Sequence, residues 1–363
     1  MAVKAFLLGD ICPNTTSKEP FANGDTATLF TDVLPLFKGN DINFANLECA
    51  LTAGDAKITK CGPVLRATPR VAEVLREVGM TVVGAANNHF FDAGVETARE
   101  SLGYLADAGI AVTGYGNTYE ESRCDHVVTK GDESVAIIAV CEHEYNYAMA
   151  DRMGSRIFSP FDTIEDIRAA KVQHDRVIVA YHGGCEYCQY PSPRLRDVCR
   201  AMVRAGADVV LCQHSHCLGC YEEYEGGHIL YGQGNSHFVS PKNKHATWPD
   251  SMGVRYDTAS NTVEFVPITC TENGITLAKG EKKAQIEAGF AERNASLQDG
   301  TWREHWHVFC ESKRHLYMDL VVGRCYAEGA TEDDNETFAH FIRCEAHLDI
   351  LHELCPTWYI TKP

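Results

Sequence analysis

Residues 205–216 read AGADVVLCQHSH, and the fold is decided there. Asp208–Cys212 is a short apolar run of strand composition, and Gly206 before it ends a helix that Ser192-Pro193 opens. Polar side chains follow at once, in Gln213-His214-Ser215-His216. Open α/β sheets bind ligands beyond the C-terminal ends of their strands. The same pattern recurs outward along the chain. Lys4–Leu8 runs into Gly9-Asp10, Ile42–Asn46 into Leu47-Glu48, Thr81–Ala85 into Ala86-Asn87-Asn88-His89, and Arg176–Tyr181 into His182-Gly183-Gly184.

Helical spacing fills the gaps between these strands. It predicts helices over Asp25–Phe37 with Asp25 as N-cap, from Thr68-Pro69 to about Val78, and over Glu96–Ala108. Asp162-Thr163-Ile164-Glu165 reads as a capping box before a helix reaching about His174. Val135–Val140 is a further apolar strand, and Cys141-Glu142-His143-Glu144 after it either lines the same rim or, by preference, forms a solvated charged loop. Strands alternating with helices imply a mainly parallel sheet covered by helices. Tyr221–Tyr224 and His228–Tyr231 flank a hairpin turn. Gly253–Asp257, Thr262–Pro267 and Ile275–Ala278 are expected to be antiparallel strands, in a second sheet or extending the first. From about Gly280 a polar helix, the aromatic-rich Trp302–Met318 and a helical stretch over Asn335–Leu354 follow, so 1–279 is expected to form one unit and 280–363 a C-terminal extension packed on it.

The 363 residues carry 33 Lys plus Arg against 50 Asp plus Glu, a formal charge of −17. That balance argues against a protein that binds nucleic acid by neutralising phosphates. No run approaches the ~18 apolar residues of a membrane span. The opening MAVKAFLLGD turns polar too soon for a signal peptide and is expected to be a strand. Sixteen cysteines in a long chain are expected to be reduced thiols in a cytoplasm, most of them packed as small hydrophobes. The C-x-x-C pairs at 185/188 and 217/220 lie too far apart for common zinc-ribbon spacing, and packing is the favoured reading. P-loop, G-x-G-x-x-G and G-x-S-x-G motifs are absent.

A mixed set of carboxylate, amide and imidazole suits divalent metals such as Mn, Fe or Zn. The candidates outnumber what one ion needs, so two are expected, ~3.5–4 Å apart on a bridging carboxylate, with an activated hydroxide as nucleophile.

GD at 9–10, NLE at 46–48, ANNHFFDAG at 86–94, HGGCEY at 182–187, AGADVVLCQHSH at 205–216 and ILYGQGN at 229–235 resemble the CapA (poly-γ-glutamate capsule biosynthesis) family, a branch of the calcineurin-like metallophosphatase superfamily. The resemblance covers roughly residues 4–240. It implies a mixed α/β fold, a β-sandwich flanked by helices in α-β-β-α layers. It implies that Asp10 and His216 hold a first metal, that Asn88, His182 and His214 hold a second, and that Glu48 bridges them. His89 matches the residue that gives a proton to the leaving group or steadies the transition state, and an imidazole suits acid work near neutral pH. Asp92 orients His89 or, by preference, caps the following helix. Arg66, Glu186, Tyr187 and Asn235 are the candidates for substrate contact, with Arg66 weighed equally as a surface arginine. Cys12 stands where many relatives have a ligating His, and is expected to be buried instead.

The expected activity is metal-dependent hydrolysis of a phosphoester. Cleavage of a γ-glutamyl amide on the same centre, or a non-catalytic accessory role in capsule or poly-γ-glutamate synthesis, are the alternatives. The expected partner is a small molecule or polymer bearing a phosphoester or γ-glutamyl bond. Trp302, His305, Trp306 and His307 either cap the pocket or, by preference, pack the tail on the body.

Overall fold

The computed structural model describes residues 2–355 apart from 241, 244, 320–322 and 324–328. Its core strands are buried on both faces, and the side-chain alternation of the pleat divides them between different cores. Ala5 and Leu7 point into one apolar cluster and Phe6 and Leu8 into another. In the same way Ile137 and Ala139, Ile178 and Ala180, and Val209 and Leu211 join the cluster of Ala5 and Leu7. Their neighbours Ile138, Val179 and Val210 face a third cluster. Two sheets therefore share a central core, and each packs helices on its outer face. At about 1.5–3 kcal/mol for each fully buried aliphatic or aromatic side chain, this central layer is a main source of stability.

The first sheet runs Ile275–Leu277, Thr262–Cys270, Asp250–Asp257, Lys4–Ile11, Ile42–Leu47, Val82–Gly84, Ala111–Thr113 in spatial order, with Asn235–His237 pairing parallel to the end of Lys4–Ile11. The three late strands are antiparallel and extend this sheet. The second runs Tyr221–Tyr224, Gly227–Leu230, Val209–Gln213, Arg176–His182, Glu133–Cys141, His126–Lys130. Its four inner strands are parallel and its two edges antiparallel, so both sheets are mixed. Gly9 allows Asn235–His237 to come close: a Cβ there would lie 2.5 Å from the Gly234 carbonyl oxygen.

Local departures from the sequence reading have local causes. Asp25 does cap a helix, its side chain accepting from the Thr28 amide, but that helix is only Thr26–Phe30. Thr31 breaks it with a φ of 37°, and a 3₁₀ turn containing Pro35 continues to Phe37. The capping box at 162–165 does not form. Ser159 takes its place, accepting from the Asp162 amide while its own amide donates to Thr163 Oγ1. The final helical stretch is two helices, Glu332–Arg343 and Glu345–Leu354, separated by extended backbone at Cys344.

The helix Gly280–Asp299 sends Ile286 and Phe290 into the central core. After it, Trp302–Tyr317 and the last two helices pack on the outer face of the second sheet through Trp302, Trp306, Tyr317, Phe341 and Ile350. Trp302 and Trp306 thus pack the tail, while His305 stacks on Tyr190 and His307 pairs with Glu353. Among the described residues no helix is long and apolar enough to cross a membrane.

Candidate metal centre

The five strand ends meet at one rim between the sheets. Asp10, at the end of Lys4–Ile11, accepts from Asn46 Nδ2 at 2.8 Å and from the His214 amide at 2.9 Å. Burial alone would raise this carboxyl, but the hydrogen bond and charge of His182, with the charge of His216 and the His214 amide, pull it down to about 2. His182 Nε2 lies 3.0 Å from Asn88 Oδ1, 3.2 Å from His214 Nδ1 and 3.6 Å from Glu48 Oε1. Burial lowers His182 to about 4 despite Asp10, so the ring is neutral at pH 7, as a metal ligand must be.

His214 and His216 sit on a loop with φ of 81° and 52°, left-handed values that side chains bearing a Cβ rarely adopt. Such strain costs of order 1–3 kcal/mol and concentrates at functional sites. Here it turns the His214 amide onto Asp10, while His216 Nδ1 lies 2.9 Å from Asn235 Oδ1.

Two donor groups result. Glu48, His182 and His214 form one, and Asp10, Glu48 and His216 the other, with the ligand atoms of each group within 4.8 Å of one another. Glu48 belongs to both. Its side chain is fully buried, and neither carboxylate oxygen has a hydrogen-bond partner. Burial, reinforced by the negative charge of Asp10 and of Glu186 and Glu144, pushes its pKa well above the usual carboxylate range. A buried, unpartnered carboxylate is costly without a countercharge. The imidazole and carboxylate donors fit a divalent metal of the Mn, Fe or Zn kind.

Asn88 joins the rim through its contact with His182 and donates from Nδ2 to Glu144 Oε2 at 2.9 Å. Glu144 is the residue that sequence reasoning misjudged. It is nearly buried and places Oε1 3.3 Å from His214 Nε2, the carboxylate–imidazole pairing that orients a metal-binding ring. Its neighbour Glu142 is also buried, accepting from Tyr181, Arg194 and the Gly184 amide. The loop is not solvated because the last helix covers it: His143 bonds Glu345. Asn46 and Asn87 were also missed. Asn87 donates to Asn46 Oδ1 and accepts from the amides of His89 and Phe90, locking the Asn-Asn-His turn.

His89, next in the chain to Asn88, is buried and points Nδ1 at Asp92 Oδ2, 2.6 Å away. Asp92 therefore orients His89 and does not cap the following helix, whose N-cap is Gly94 with no side-chain bond. Lys60, whose type carried no signal in sequence, buries its ammonium 2.7 Å from Asp92 Oδ1. Burial lowers the His89 pKa while Asp92 opposes the shift.

The substrate candidates separate. Asn235 is not free for a ligand: it is fully buried and engages His216 and the Trp248 carbonyl, so its amide positions the ring. Arg66 donates to the carbonyls of Gly54 and Ala56 and closes its own loop. Glu186 and Tyr187 do line a cavity that His214 also lines. Cys12 is buried against Cys49, its thiol pushed up by burial, and belongs to neither donor group. Among the described residues the two C-x-x-C pairs form no metal-binding group, and burial holds all four as thiols.

The family model of the bacterial capsule synthesis protein PGA_cap matches residues 4–240, which include every donor from Asp10 to His216. The chain belongs to this PGA_cap family. Among similar proteins are the capsule biosynthesis protein CapA of Bacillus anthracis, 28% identical over 73% of this chain and 67% of that one, and the PGA biosynthesis protein CapA of Bacillus subtilis, 29% identical over 74% and 72%. Among solved structures, a phosphatase of Mycoplasma pneumoniae aligns with a TM-score of 0.47 at 12% identity, over 74% of this chain and 94% of that one. A 5'-nucleotidase precursor of Thermus thermophilus aligns at 0.41 and 12% over 80% and 58%.

Proposed function

We propose that this PGA_cap protein is a metal-dependent phosphoester hydrolase working with two divalent cations that share Glu48. The observation that supports it most is Glu48 itself, a fully buried carboxylate with two unpartnered oxygens where the two donor groups join. Asp10, Glu48 and His216 would hold one ion, and Glu48, Asn88, His182 and His214 the other. Such ions, when bound, would supply Lewis acidity to a phosphoryl oxygen and lower the pKa of a water.

The remaining chemistry is assigned to the chain's own side chains. Hydrolysis joins a water oxygen to phosphorus and breaks the bond from phosphorus to the leaving oxygen, which needs a proton. In its imidazolium form, with Nδ1–H donated to Asp92, His89 would give that proton from Nε2, and the proton lost by the attacking water would restore it. Lys60 and the Leu65 amide fix Asp92 in turn. Glu144 orients His214 from outside the donor set. The division near residue 280 belongs to the same proposal: the residues before it carry the chemistry and those after it cover the site.

The capsule and PGA roles in the relatives' names bring the γ-glutamyl amide and accessory readings to this chain as well. The buried Asp92–His89 pair favours catalysis, since a purely structural centre has no use for an oriented acid. Elemental analysis of the purified protein, paired with a screen of phosphoesters and γ-glutamyl peptides across Mn, Fe, Zn and Co, tests the proposal. Turnover of a phosphoester that is lost in His89→Ala with metal retained supports it. A metal-loaded protein that cleaves neither class overturns it.

A further inference from the structure

Beside His214 opens a cavity of about 270 Å³. His214, Glu144 and Gly184 form part of its lining. Its walls come from the three last helices, through Phe309, Leu316, Tyr317, Phe341 and Ile350. These wall residues all lie outside residues 4–240, the part that the family model matches. The walls are therefore contributed by a different region from His214, the donor that lines the cavity.

Many of the wall residues are aromatic. Tyr317 stacks on Phe341 with ring centres 4.8 Å apart, and Phe341 stacks on His347 at 4.2 Å. His347 also bonds the Tyr317 hydroxyl, and its Nε2 lies 2.9 Å from His340 Nε2. His340 in turn stacks on Tyr145. Burial lowers the pKa of both imidazoles. Among the described residues lining it, Lys313 is the one lysine or arginine, and Glu144 and Glu186 are the carboxylates. An anionic polymer would meet two carboxylates against one cation there. A neutral aromatic group would meet a lining rich in aromatic and aliphatic side chains.

We propose that this cavity is the specificity pocket of the centre, and that it takes a neutral aromatic group of about one ring carried by the substrate's phosphoryl moiety. The proposal rests on the phosphoester reading and adds the substrate class. The helices Trp302–Tyr317, Glu332–Arg343 and Glu345–Leu354 select the substrate, and the residues on the strand ends act on it.

Binding separates the two claims, because it needs no turnover. The full chain, loaded with metal and checked by elemental analysis, is titrated by calorimetry with phenylphosphonate and with methylphosphonate. Phenylphosphonate is expected to bind about tenfold more tightly. Leu316 lines the cavity and is half exposed, so its replacement is expected to leave the fold intact. In Leu316→Glu the preference should fall to within about twofold, and Leu316→Met should keep it. Equal affinities, a preference that survives Leu316→Glu, or binding of neither probe overturns the proposal. Phenyl phosphate hydrolysis is then measured on its own. Selective binding with no cleavage keeps the pocket and removes the hydrolase reading. Cleavage of phenyl and methyl phosphates with equal KM keeps the hydrolase and removes the pocket.

Discussion

Glu48→Gln removes one charge and almost no volume from the point where both donor groups meet. Glu48 has no hydrogen-bond partner and lies among other carboxylates, so in the metal-free protein its acid form is favoured. Its folded pKa is raised, so its contribution to stability is complete below the ordinary value of 4.5 and is lost as pH rises above it. The amide mimics the protonated acid. Without metal at pH 7 the variant should therefore be as stable as the wild type within about 1 kcal/mol, or more stable. With metal the sign reverses. One ion at a hundred times its Kd adds about 2.7 kcal/mol, and two add about twice that. An unfolding entropy of about 2.1 cal/mol/K per residue over 363 residues converts those figures to rises in Tm of about 3–4 °C and about 7 °C. Calorimetric scans with EDTA and with Mn or Zn should show about 7 °C in the wild type and less than half of it in Glu48→Gln. A variant that loses several kcal/mol in EDTA, or that keeps the whole metal-dependent rise, refutes the reasoning.

Other substitutions read different parts of the site. His89→Asn should slow hydrolysis of an alkyl phosphate by about 10²–10⁴-fold and of 4-nitrophenyl phosphate much less, because a good leaving group needs no proton; steady-state rates on the two esters check this. Glu144→Gln should lower metal affinity by about 10–100-fold while the far-UV spectrum is retained, as measured by competition with a chelating dye. His237, buried between Phe21 and Phe30 and lowered by burial to about 4, stays neutral in the fold but charges in the unfolded chain below 6.5. Stability should thus fall as pH drops from about 6.5 to about 4, by about 3 kcal/mol from this residue. Urea unfolding at both ends of that window should show a correspondingly smaller fall in His237→Gln.

The strand-end donors were legible because two local signals coincide at each: an apolar run that must be a buried strand, then a polar group where the strand leaves the core. Asp10, Glu48, Asn88, His182, His214 and His216 all carry that signature, and the geometry brings them together. The parts that were not legible depend on distant segments. Glu144 lies in a charged run that looks solvated, and only the last helix, which holds His143 through Glu345, explains its burial. Lys60 looks like any surface lysine until Asp92 is seen beside it. Asn235 shares the rim but points its amide at His216, a direction that spacing cannot supply. His340 and His347 belong to helices far along the chain, and nothing in their local pattern places them beside His214. The register of those helices on the second sheet is set by Trp306, Tyr317 and Phe341 packing, which is a tertiary property.

Metal stoichiometry in the wild type and in Asp10→Ala, Glu48→Ala and His214→Ala tests the centre most directly. Elemental analysis after dialysis should give two equivalents of a transition metal in the wild type. It should give a loss of one or both in each variant, with the fold retained by circular dichroism. A wild type that holds no metal, or variants that keep the full complement, would contradict a centre built on these residues.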